Sequence, residues 1–381
     1  MQYRKFGKLD WKPSALGFGC MRLPILDNDF GKVNEPLAIQ MIRYAIDNGV
    51  NYVDTAYFYH RGQSEFVVGQ ALRDGYRERI KLATKLPASI IQSARDFDRI
   101  FNEQLTRLET DHIDFYLLHS LTRETWPKIR DLDVIPWAEN LLKTGRINYL
   151  GFSFHDEYPV FQEIIDAYDK WTFCQIQYNF ADTNCQAGTR GLKYAADKGL
   201  GVIIMEPLRG GAFTRKPPEK VAQLWARAPK KRSPAEWGLF WVWNHPEVSF
   251  ALSGMSAMEQ VKENIALASR SGINILSFDE LELIEEVGKA YNDSNPIPCT
   301  NCRYCMPCPN GVDIPQNFSM YNEVAVFDSI RSRLMYRGME KSKRSESCIE
   351  CGQCVEKCPQ KINIPEELKK IHAFFTSIGI S

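Results

Sequence analysis

Eight of the eleven cysteines in this 381-residue chain lie in two short runs near its C-terminal end. In each run the first three cysteines stand three positions apart, and the fourth is followed by proline. The runs are Cys299, Cys302, Cys305 and Cys308, then Cys348, Cys351, Cys354 and Cys358. The second run has the iron–sulfur spacing C-x2-C-x2-C-x3-C-P, and the first is one residue shorter before its last cysteine. Thiolates at this spacing can converge on one cubane, so the runs predict two [4Fe-4S] clusters.

Two other uses of the cysteines fit the spacing less well. Zinc ribbons pair C-x2-C units across long gaps, and a disulfide framework needs an oxidising compartment. Residues 1–11 contain no apolar signal-peptide segment, so we expect a cytoplasmic protein. In two-cluster ferredoxins the fourth cysteine of each run ligates the other cluster. The predicted ligand sets are Cys299, Cys302, Cys305 and Cys358, and Cys348, Cys351, Cys354 and Cys308.

A second group of reactive side chains follows three apolar runs in the first third of the chain: Asp54, Tyr59, Lys85 and His119. A lysine beside a tyrosine favours the phenolate and lowers the phenol pKa. An aspartate would keep that lysine charged, and a histidine could hydrogen-bond a substrate carbonyl. Together such groups can protonate a carbonyl oxygen while a hydride reaches its carbon.

Positioning these four side chains together requires a regular scaffold. Eight short apolar runs alternate with amphipathic helical stretches, which is typical of a parallel sheet. The runs cover 14–20, 51–56, 80–85, 113–119, 147–153, 173–179, 201–207 and 248–254. Eight such units in about 250 residues predict a (β/α)8 TIM barrel, with function at the C-terminal ends of the strands. A doubly wound sheet is the alternative, and eight units fit it less well.

Length and composition limit the remaining choices. The chain is too long for a ferredoxin alone, so we expect a barrel over 1–290 and a small, mainly helical ferredoxin-like domain over 291–381. Its 47 Lys and Arg balance 47 Asp and Glu, which indicates neither nucleic acid nor an anionic membrane as partner. No apolar run approaches the roughly 18 residues that cross a bilayer.

The motifs DTAYFYH, SEFVVG, ATK and YLLH, in this order, resemble the aldo-keto reductase family over residues 1 to about 290. The resemblance implies that Tyr59 is the proton donor, with Asp54, Lys85 and His119 completing a catalytic tetrad. Two segments, IPCTNCRYCMPCPNGVDIP and CIECGQCVEKCPQKINIP, resemble the C-terminal extension of one branch of that family. The implied activity is carbonyl–alcohol interconversion on a small substrate.

The same resemblance implies a nicotinamide cofactor, held through segments 151–155, 175–179, 205–211 and 251–264. The implied contacts are Gly19, Met21, Ser153, Gln175, Met205, Glu206, Leu208, Gly254, Gln260, Glu263 and Asn264. This chain departs from the family pattern at Phe154, Met205 and Glu206. The family's two basic residues for the 2′-phosphate of NADP align with the neutral Gly254 and Gln260, so NAD is at least as good a candidate as NADP. Lys262 or Arg209 could replace them, and a flavin is the alternative occupant.

The clusters need a role of their own, because hydride transfer requires none. They could carry single electrons to or from a ferredoxin-type partner, or hold together a segment too small for its own core. A third role is to make activity sensitive to oxidants. A rival from another class is a non-catalytic redox subunit, which the tetrad disfavours.

Overall fold

Eight parallel strands close into a barrel in the computed structural model, which describes residues 1–27, 29–299, 305–358 and 360–380. Each strand falls within or overlaps one of the eight apolar runs, and the predicted (β/α)8 fold is confirmed. The strands are β1 (Leu16–Gly19), β2 (Tyr52–Asp54), β3 (Lys81–Pro87), β4 (Ile113–Leu121), β5 (Ile147–Phe154), β6 (Phe173–Gln177), β7 (Gly201–Met205) and β8 (Phe250–Gly254).

Helices separate the strands and continue beyond them. In the described residues they are α1 (Glu35–Asp47), α2 (Ser64–Ala71), α3 (Arg95–Leu108), α4 (Thr125–Arg130), α5 (Val134–Lys143), α6 (Tyr158–Asp166), α7 (Gly188–Asp197), α8 (Glu219–Ala226), α9 (Pro234–Trp243), α10 (Met258–Ala268), α11 (Phe278–Asp293), α12 (Ile314–Phe327), α13 (Ile330–Gly338), α14 (Gln353–Glu356) and α15 (Ile364–Ser377). Side-chain N-caps fix the residues at which several of these helices begin. The Asn34 side chain accepts from Leu37 N at α1, and the Ser233 hydroxyl accepts from Glu236 N at α9. None of these helices is both long and apolar enough to cross a membrane.

The strand register brings the reactive strand ends to one rim. β1 closes the barrel on β8, where Gly19 lies opposite Gly254, and β2 ends at Asp54 beside β3. His119 near the end of β4 lies opposite Pro87 of β3. Because all eight strands are parallel, side chains at their C-terminal ends share one mouth.

An aromatic cluster fills the barrel interior around the N-terminal hairpin. The antiparallel bridges Tyr3–Ser14 and Phe6–Leu9 form this hairpin. The Phe6 ring packs edge-on against Phe115 at 5.4 Å between centroids and stacks on Phe250 at 6.0 Å. Burial of a side chain of this size contributes about 1.5–3 kcal/mol. The hairpin therefore contributes to the barrel core.

The chain divides into two compact units that are not simply consecutive. The first comprises residues 1–208 and 232–281, and the second comprises 209–231 and 282–381. The second unit therefore includes the segment that follows β7, which lies inside the range 1–290 predicted for the barrel. A boundary at 290/291 stays a prediction, since this division by compactness falls inside α11.

The second unit is mainly helical, as predicted, and the structure shows that it also has its own apolar core. Ile314 and Phe318 of α12 are buried with Ile371 and Phe375 of α15, and the Tyr336 ring stacks on Phe375 at 3.6 Å. Segment 209–231 contributes to the same unit. Phe213 packs on Tyr291 and Phe327, and the Arg209 guanidinium lies 4.2 Å above the Phe327 ring.

Candidate functional site

A fully buried lysine holds the reactive groups of the barrel mouth together. The Lys85 ammonium donates to Asp54 Oδ1 at 2.6 Å, to the Thr55 carbonyl at 2.7 Å and to the Tyr59 hydroxyl at 3.3 Å. An ammonium has three hydrogens, so these bonds use all of its donors and fix its direction. The structure thus brings Asp54, Tyr59 and Lys85, which lie on two neighbouring strand ends, into one cluster.

The protonation states of this cluster follow from burial and neighbouring charge. Burial lowers the pKa of Lys85, but the charges of Asp54 and Tyr59 oppose it and leave that pKa raised. Burial raises the pKa of Tyr59, and Lys85 only partly offsets the rise. The sequence predicts that lysine lowers the phenol pKa. The lysine does act in that direction, but burial outweighs it. Tyr59 therefore stays a protonated phenol at neutral pH, which suits a proton donor.

His119, on β4, lies next to this cluster. Its ring lies edge-on to Tyr59 with 6.1 Å between centroids. Burial, then the charges of Lys85 and His155, hold its pKa well below the usual range, so the imidazole is neutral. A neutral imidazole beside a phenol can hydrogen-bond a carbonyl oxygen without competing for the proton.

The predicted nicotinamide contacts lie at the ends of five other strands or just beyond them. Ser153 and Gln175 are buried at β5 and β6, and the Ser153 hydroxyl oxygen accepts from Ser120 N at 2.8 Å. The Gln175 Oε1 atom is buried without a hydrogen-bond partner. A buried acceptor of this kind is costly unless a ligand donates to it. The site fits a carboxamide.

The remaining predicted contacts divide between the barrel rim and α10. Gly19 and Met21 lie at the end of β1 and in the turn after it, and Met205, Glu206 and Leu208 lie at the end of β7 and beyond. At β8 and α10, Asn264 Nδ2 donates to the Ser253 hydroxyl, Gln260 Oε1 accepts from Ser256 N, and Glu263 Oε1 accepts from the Ser233 hydroxyl. The neutral side chains of Gln260 and Asn264 therefore already have partners near Gly254, and the Glu263 carboxylate is paired with Ser233.

Cysteines from both runs meet in the second unit. One cavity is lined by Cys305 and Cys308 of the first run and by Cys348, Cys351 and Cys354 of the second. The predicted set Cys348, Cys351, Cys354 and Cys308 thus surrounds one space. Cys299 and Cys358 pack against the core of the same unit, and Cys302 lies outside the described residues.

The donor set fits iron–sulfur clusters. The seven described cysteines of the two runs form no disulfide. In the part of the chain that the structure describes, no three His, Cys, Asp or Glu side chains converge as a single metal ion requires. The thiolates of a cubane bind different irons and stand farther apart.

Comparison with known proteins agrees with both parts of the chain. The Aldo/keto reductase family model matches residues 15–286, and a 4Fe-4S dicluster domain model matches residues 298–362. The chain belongs to the aldo/keto reductase family.

Relatives of this aldo/keto reductase include the uncharacterized oxidoreductase YrpG of Bacillus subtilis, 26% identical, with 78% of this chain and 97% of that protein covered. L-galactose dehydrogenase of Arabidopsis thaliana is 27% identical, with 75% and 95% covered. Among solved structures, the holo form of aldo-keto reductase AKR11C1 from Bacillus halodurans superposes with a TM-score of 0.63 at 27% identity, covering 75% of this chain and 96% of that one.

A buried polar network behind Lys85 supports the tetrad of this aldo/keto reductase. Gln104 of α3 donates to the Lys85 carbonyl at 3.0 Å and to Glu65 of α2 at 2.8 Å, while Thr84 donates to the same carboxylate. Arg107 pairs with Glu65 at 3.2 Å. The network fixes the end of β3 from outside the barrel. Glu65 lies in the SEFVVG motif, but nothing in the sequence indicates its buried partners.

His60, next to Tyr59, ties the loop after β1 to the tetrad. Its side chain is fully buried, with Nδ1 donating to the Phe30 carbonyl at 2.9 Å and Nε2 accepting from Leu23 N at 3.1 Å. The ring also stacks on Phe30 with 4.4 Å between centroids. Both ring nitrogens are used, so the imidazole is neutral and its tautomer is fixed. The sequence shows His60 only as one more polar residue of DTAYFYH.

We expect His60 to make the stability of the aldo/keto reductase barrel depend on pH. Burial lowers the pKa of His60 below its usual value. Its contribution is thus complete above about pH 6.5 and is lost as the pH falls through the lowered folded value. His60→Asn keeps a donor for Phe30, His60→Gln keeps an acceptor for Leu23, and each should cost about 1–3 kcal/mol. The measurement is the apparent Tm from pH 5 to 8.

The difference between wild type and variant isolates His60, because all other groups titrate in both. Below pH 6.5 the difference in Tm between wild type and variant should shrink, because protonation of His60 removes the acceptor for Leu23 N in the wild type. A gap that is constant across this range would contradict the assignment.

Proposed function

We propose that this chain interconverts a small carbonyl compound and its alcohol with a nicotinamide cofactor, with Tyr59 as proton donor. The observation that carries the proposal is the three-way bond of the buried Lys85 ammonium to Asp54, Thr55 and Tyr59. Relatives named as oxidoreductases and as L-galactose dehydrogenase support the reaction class.

In the reduction of a carbonyl, each residue of the tetrad would have a separate role. His119 would donate to the carbonyl oxygen and orient it toward Tyr59. The Tyr59 hydroxyl would give its proton to that oxygen, and the Lys85 cation would stabilise the phenolate left behind. Asp54 would keep the fully buried Lys85 charged. Bound nicotinamide would supply the hydride that reaches the carbonyl carbon.

Ser153 and Gln175 would hold the carboxamide, and Met205 would cover one face of the ring. The buried, unpartnered Gln175 oxygen supports a carboxamide donor at this place. A flavin stays the alternative occupant, and a carboxamide-binding pair of side chains favours nicotinamide over it.

We further propose that the two clusters carry single electrons between a ferredoxin-type partner and the barrel site, through a mediator such as a flavin that takes up two electrons as a hydride and releases them one at a time. Cys351 is exposed, and the side chain beside it, Ile349, is 64% exposed. A cluster held there would be within reach of another protein. The apolar core of the second unit weakens the alternative that the clusters serve only to hold this segment together.

The test uses anaerobically purified full-length protein, its iron and sulfide content, and its visible spectrum before and after NADH or NADPH. We expect about eight iron atoms per chain, four for each cubane, and bleaching by one nucleotide at a rate that supports turnover. Full iron without bleaching would contradict direct coupling between nucleotide and clusters, and it would leave either a carbonyl reductase with structural clusters or clusters that need a mediator missing from the purified protein. Much less iron after reconstitution would contradict the cluster assignment.

A further inference from the structure

A short stretch of the second unit concentrates positive charge. Residues 330–344, here called the basic segment, comprise α13 and the turn after it and contain six Lys and Arg but only one acidic residue, Glu340. The six cations are Arg331, Arg333, Arg337, Lys341, Lys343 and Arg344. Arg333 pairs with Asp328, which lies just before the segment. Over the whole chain the two signs balance at 47 each, so the excess of positive charge here is local.

The basic segment also exposes large apolar side chains. On α13, Ile330 is 51% exposed, Leu334 49% and Met335 43%. Leu334 follows Ile330 by one helical turn on the outward face, whereas the buried Ser332 and Tyr336 fall on the opposite face. A helix that holds three large apolar side chains in solvent among cations is typical of a contact surface with an apolar centre and a polar rim.

Part of this positive charge has no carboxylate beside it. The single carboxylate of the segment, Glu340, lies 3.4 Å from the Lys343 ammonium. Arg337 and Lys341 are exposed, and neither forms an ion pair with any residue in the described part of the chain. Charges that no neighbour neutralises keep their field toward solvent, where it acts on a charged partner.

Hydrogen bonds tie the basic segment to the second cysteine run. The Ser347 hydroxyl donates to the Lys341 carbonyl at 2.7 Å, and Cys348 N donates to the Ser345 carbonyl at 3.1 Å. Cys348 in turn lines the cavity that cysteines of both runs share. A protein bound over the basic segment would therefore lie beside ligands of a predicted cluster.

We propose that the basic segment is the docking surface for a small acidic protein that carries single electrons, and that this carrier exchanges them with the cluster predicted at Cys348, Cys351, Cys354 and Cys308. The inference rests on the proposed function, because it takes the clusters to carry electrons. In each encounter the carrier loses one electron and the cluster gains one, or the reverse, and no bond forms or breaks. Opposite charge would speed and orient the encounter, while the apolar side chains of α13 would supply the close contact.

The apolar centre of the segment favours a protein over other anionic partners. Nucleic-acid phosphates are bound by cations and polar groups and would leave Ile330 and Leu334 in water. An anionic membrane would accept these side chains, but a helix that lies in a bilayer surface is usually much longer than the nine residues of α13. A second copy of this chain has no net charge to complement the segment.

The test measures, by calorimetry, binding of an oxidised, acidic bacterial dicluster ferredoxin to full-length protein prepared without oxygen. Binding is the readout, so no turnover is needed. The affinity of the wild type should fall about tenfold or more when salt rises from about 50 to about 300 mM. Arg337→Glu combined with Lys341→Glu should weaken low-salt binding about tenfold or more. Leu334→Ala should weaken binding about tenfold at both salt concentrations, because apolar contact is not screened.

A matched control reverses the same number of charges in the same unit. Lys216 and Lys289 are exposed and lie outside the basic segment, so Lys216→Glu combined with Lys289→Glu should weaken binding less than about twofold. Dithionite, a small reductant that needs no docking, should bleach the clusters of the wild type and of all variants equally.

Equal binding of ferredoxin by the wild type and by Arg337→Glu with Lys341→Glu, or an equal loss in the control, would overturn the docking surface and leave the redox role of the clusters in place. Clusters that dithionite does not reduce would overturn that redox role, on which the inference rests. Binding of the wild type to phosphatidylglycerol vesicles or to itself, abolished by the same two substitutions and without any binding of ferredoxin, would assign the segment to a membrane or a second copy and overturn the proposal.

Discussion

Replacing Tyr59 by phenylalanine should lower the rate of carbonyl reduction about 10²–10⁴-fold, the usual worth of a positioned proton donor. The variant removes one oxygen, to which Lys85 donates at 3.3 Å, and leaves the ring beside His119. Nucleotide affinity should change less than about twofold, because in the proposed mechanism the hydroxyl would contact the reacting carbonyl rather than the adenosine. The measurement is single-turnover oxidation of reduced nicotinamide across a panel of aldehydes and ketones.

Tyr57 provides a matched control two residues earlier. Its hydroxyl donates to Glu103 at 2.8 Å and its ring lies under Arg107, outside the Lys85 cluster. Tyr57→Phe removes the same atom from the same loop, and its turnover should stay within about twofold of the wild type. Unchanged turnover of Tyr59→Phe on every substrate would show that Tyr59 is not the proton donor.

The pH dependence of carbonyl reduction and of alcohol oxidation provides a second test of the role of Tyr59. Burial raises the pKa of this phenol, so the proton needed for reduction is present through the neutral range. Alcohol oxidation needs the phenolate and should rise with pH under the same conditions. A profile for Tyr59→Phe that keeps this rise would assign it to another group.

The second large effect is expected from Cys308. If the fourth cysteine of each run ligates the other run's cluster, Cys308→Ala removes the cluster held by Cys348, Cys351 and Cys354. Iron should then fall from about eight to about four atoms per chain. The shared cavity of Cys308 with these three residues is the structural basis.

Double variants distinguish crossed from uncrossed ligation. With crossing, Cys308 and Cys351 serve one cluster, so Cys308→Ala combined with Cys351→Ala should keep about four iron atoms. Without crossing, the same pair disables both clusters and little iron remains. The double variant Cys308→Ala with Cys305→Ala should give the opposite result, with little iron if ligation is crossed and about four iron atoms if it is not. Cys185→Ser, in the barrel unit, should leave the iron content unchanged.

The barrel and the tetrad were predictable because both depend on order along the chain. Parallel strands bring their C-terminal ends to one rim, so Asp54, Lys85 and His119 had to meet once eight alternating units were recognised. Other features depend on packing between distant segments. Both hydrogen bonds of His60 and the net rise of the Tyr59 pKa depend on burial, which a linear pattern does not contain. The roles of the tetrad and of the cofactor contacts stay predictions.

The order of the two compact units along the chain has a consequence for how the protein is built. The polypeptide leaves the barrel after Leu208, contributes 209–231 to the cysteine-bearing unit, and then returns to complete α9, β8 and α10. Along the sequence, the segments of the cysteine-bearing unit therefore alternate with those of the barrel unit. A gene truncated after the barrel would still encode Arg209 and Phe213 but not Phe327, which both of them contact. During synthesis, segment 209–231 cannot make its contacts within the cysteine-bearing unit until residues more than a hundred positions later have been made. The two segments of this unit therefore have to fold, and to evolve, together.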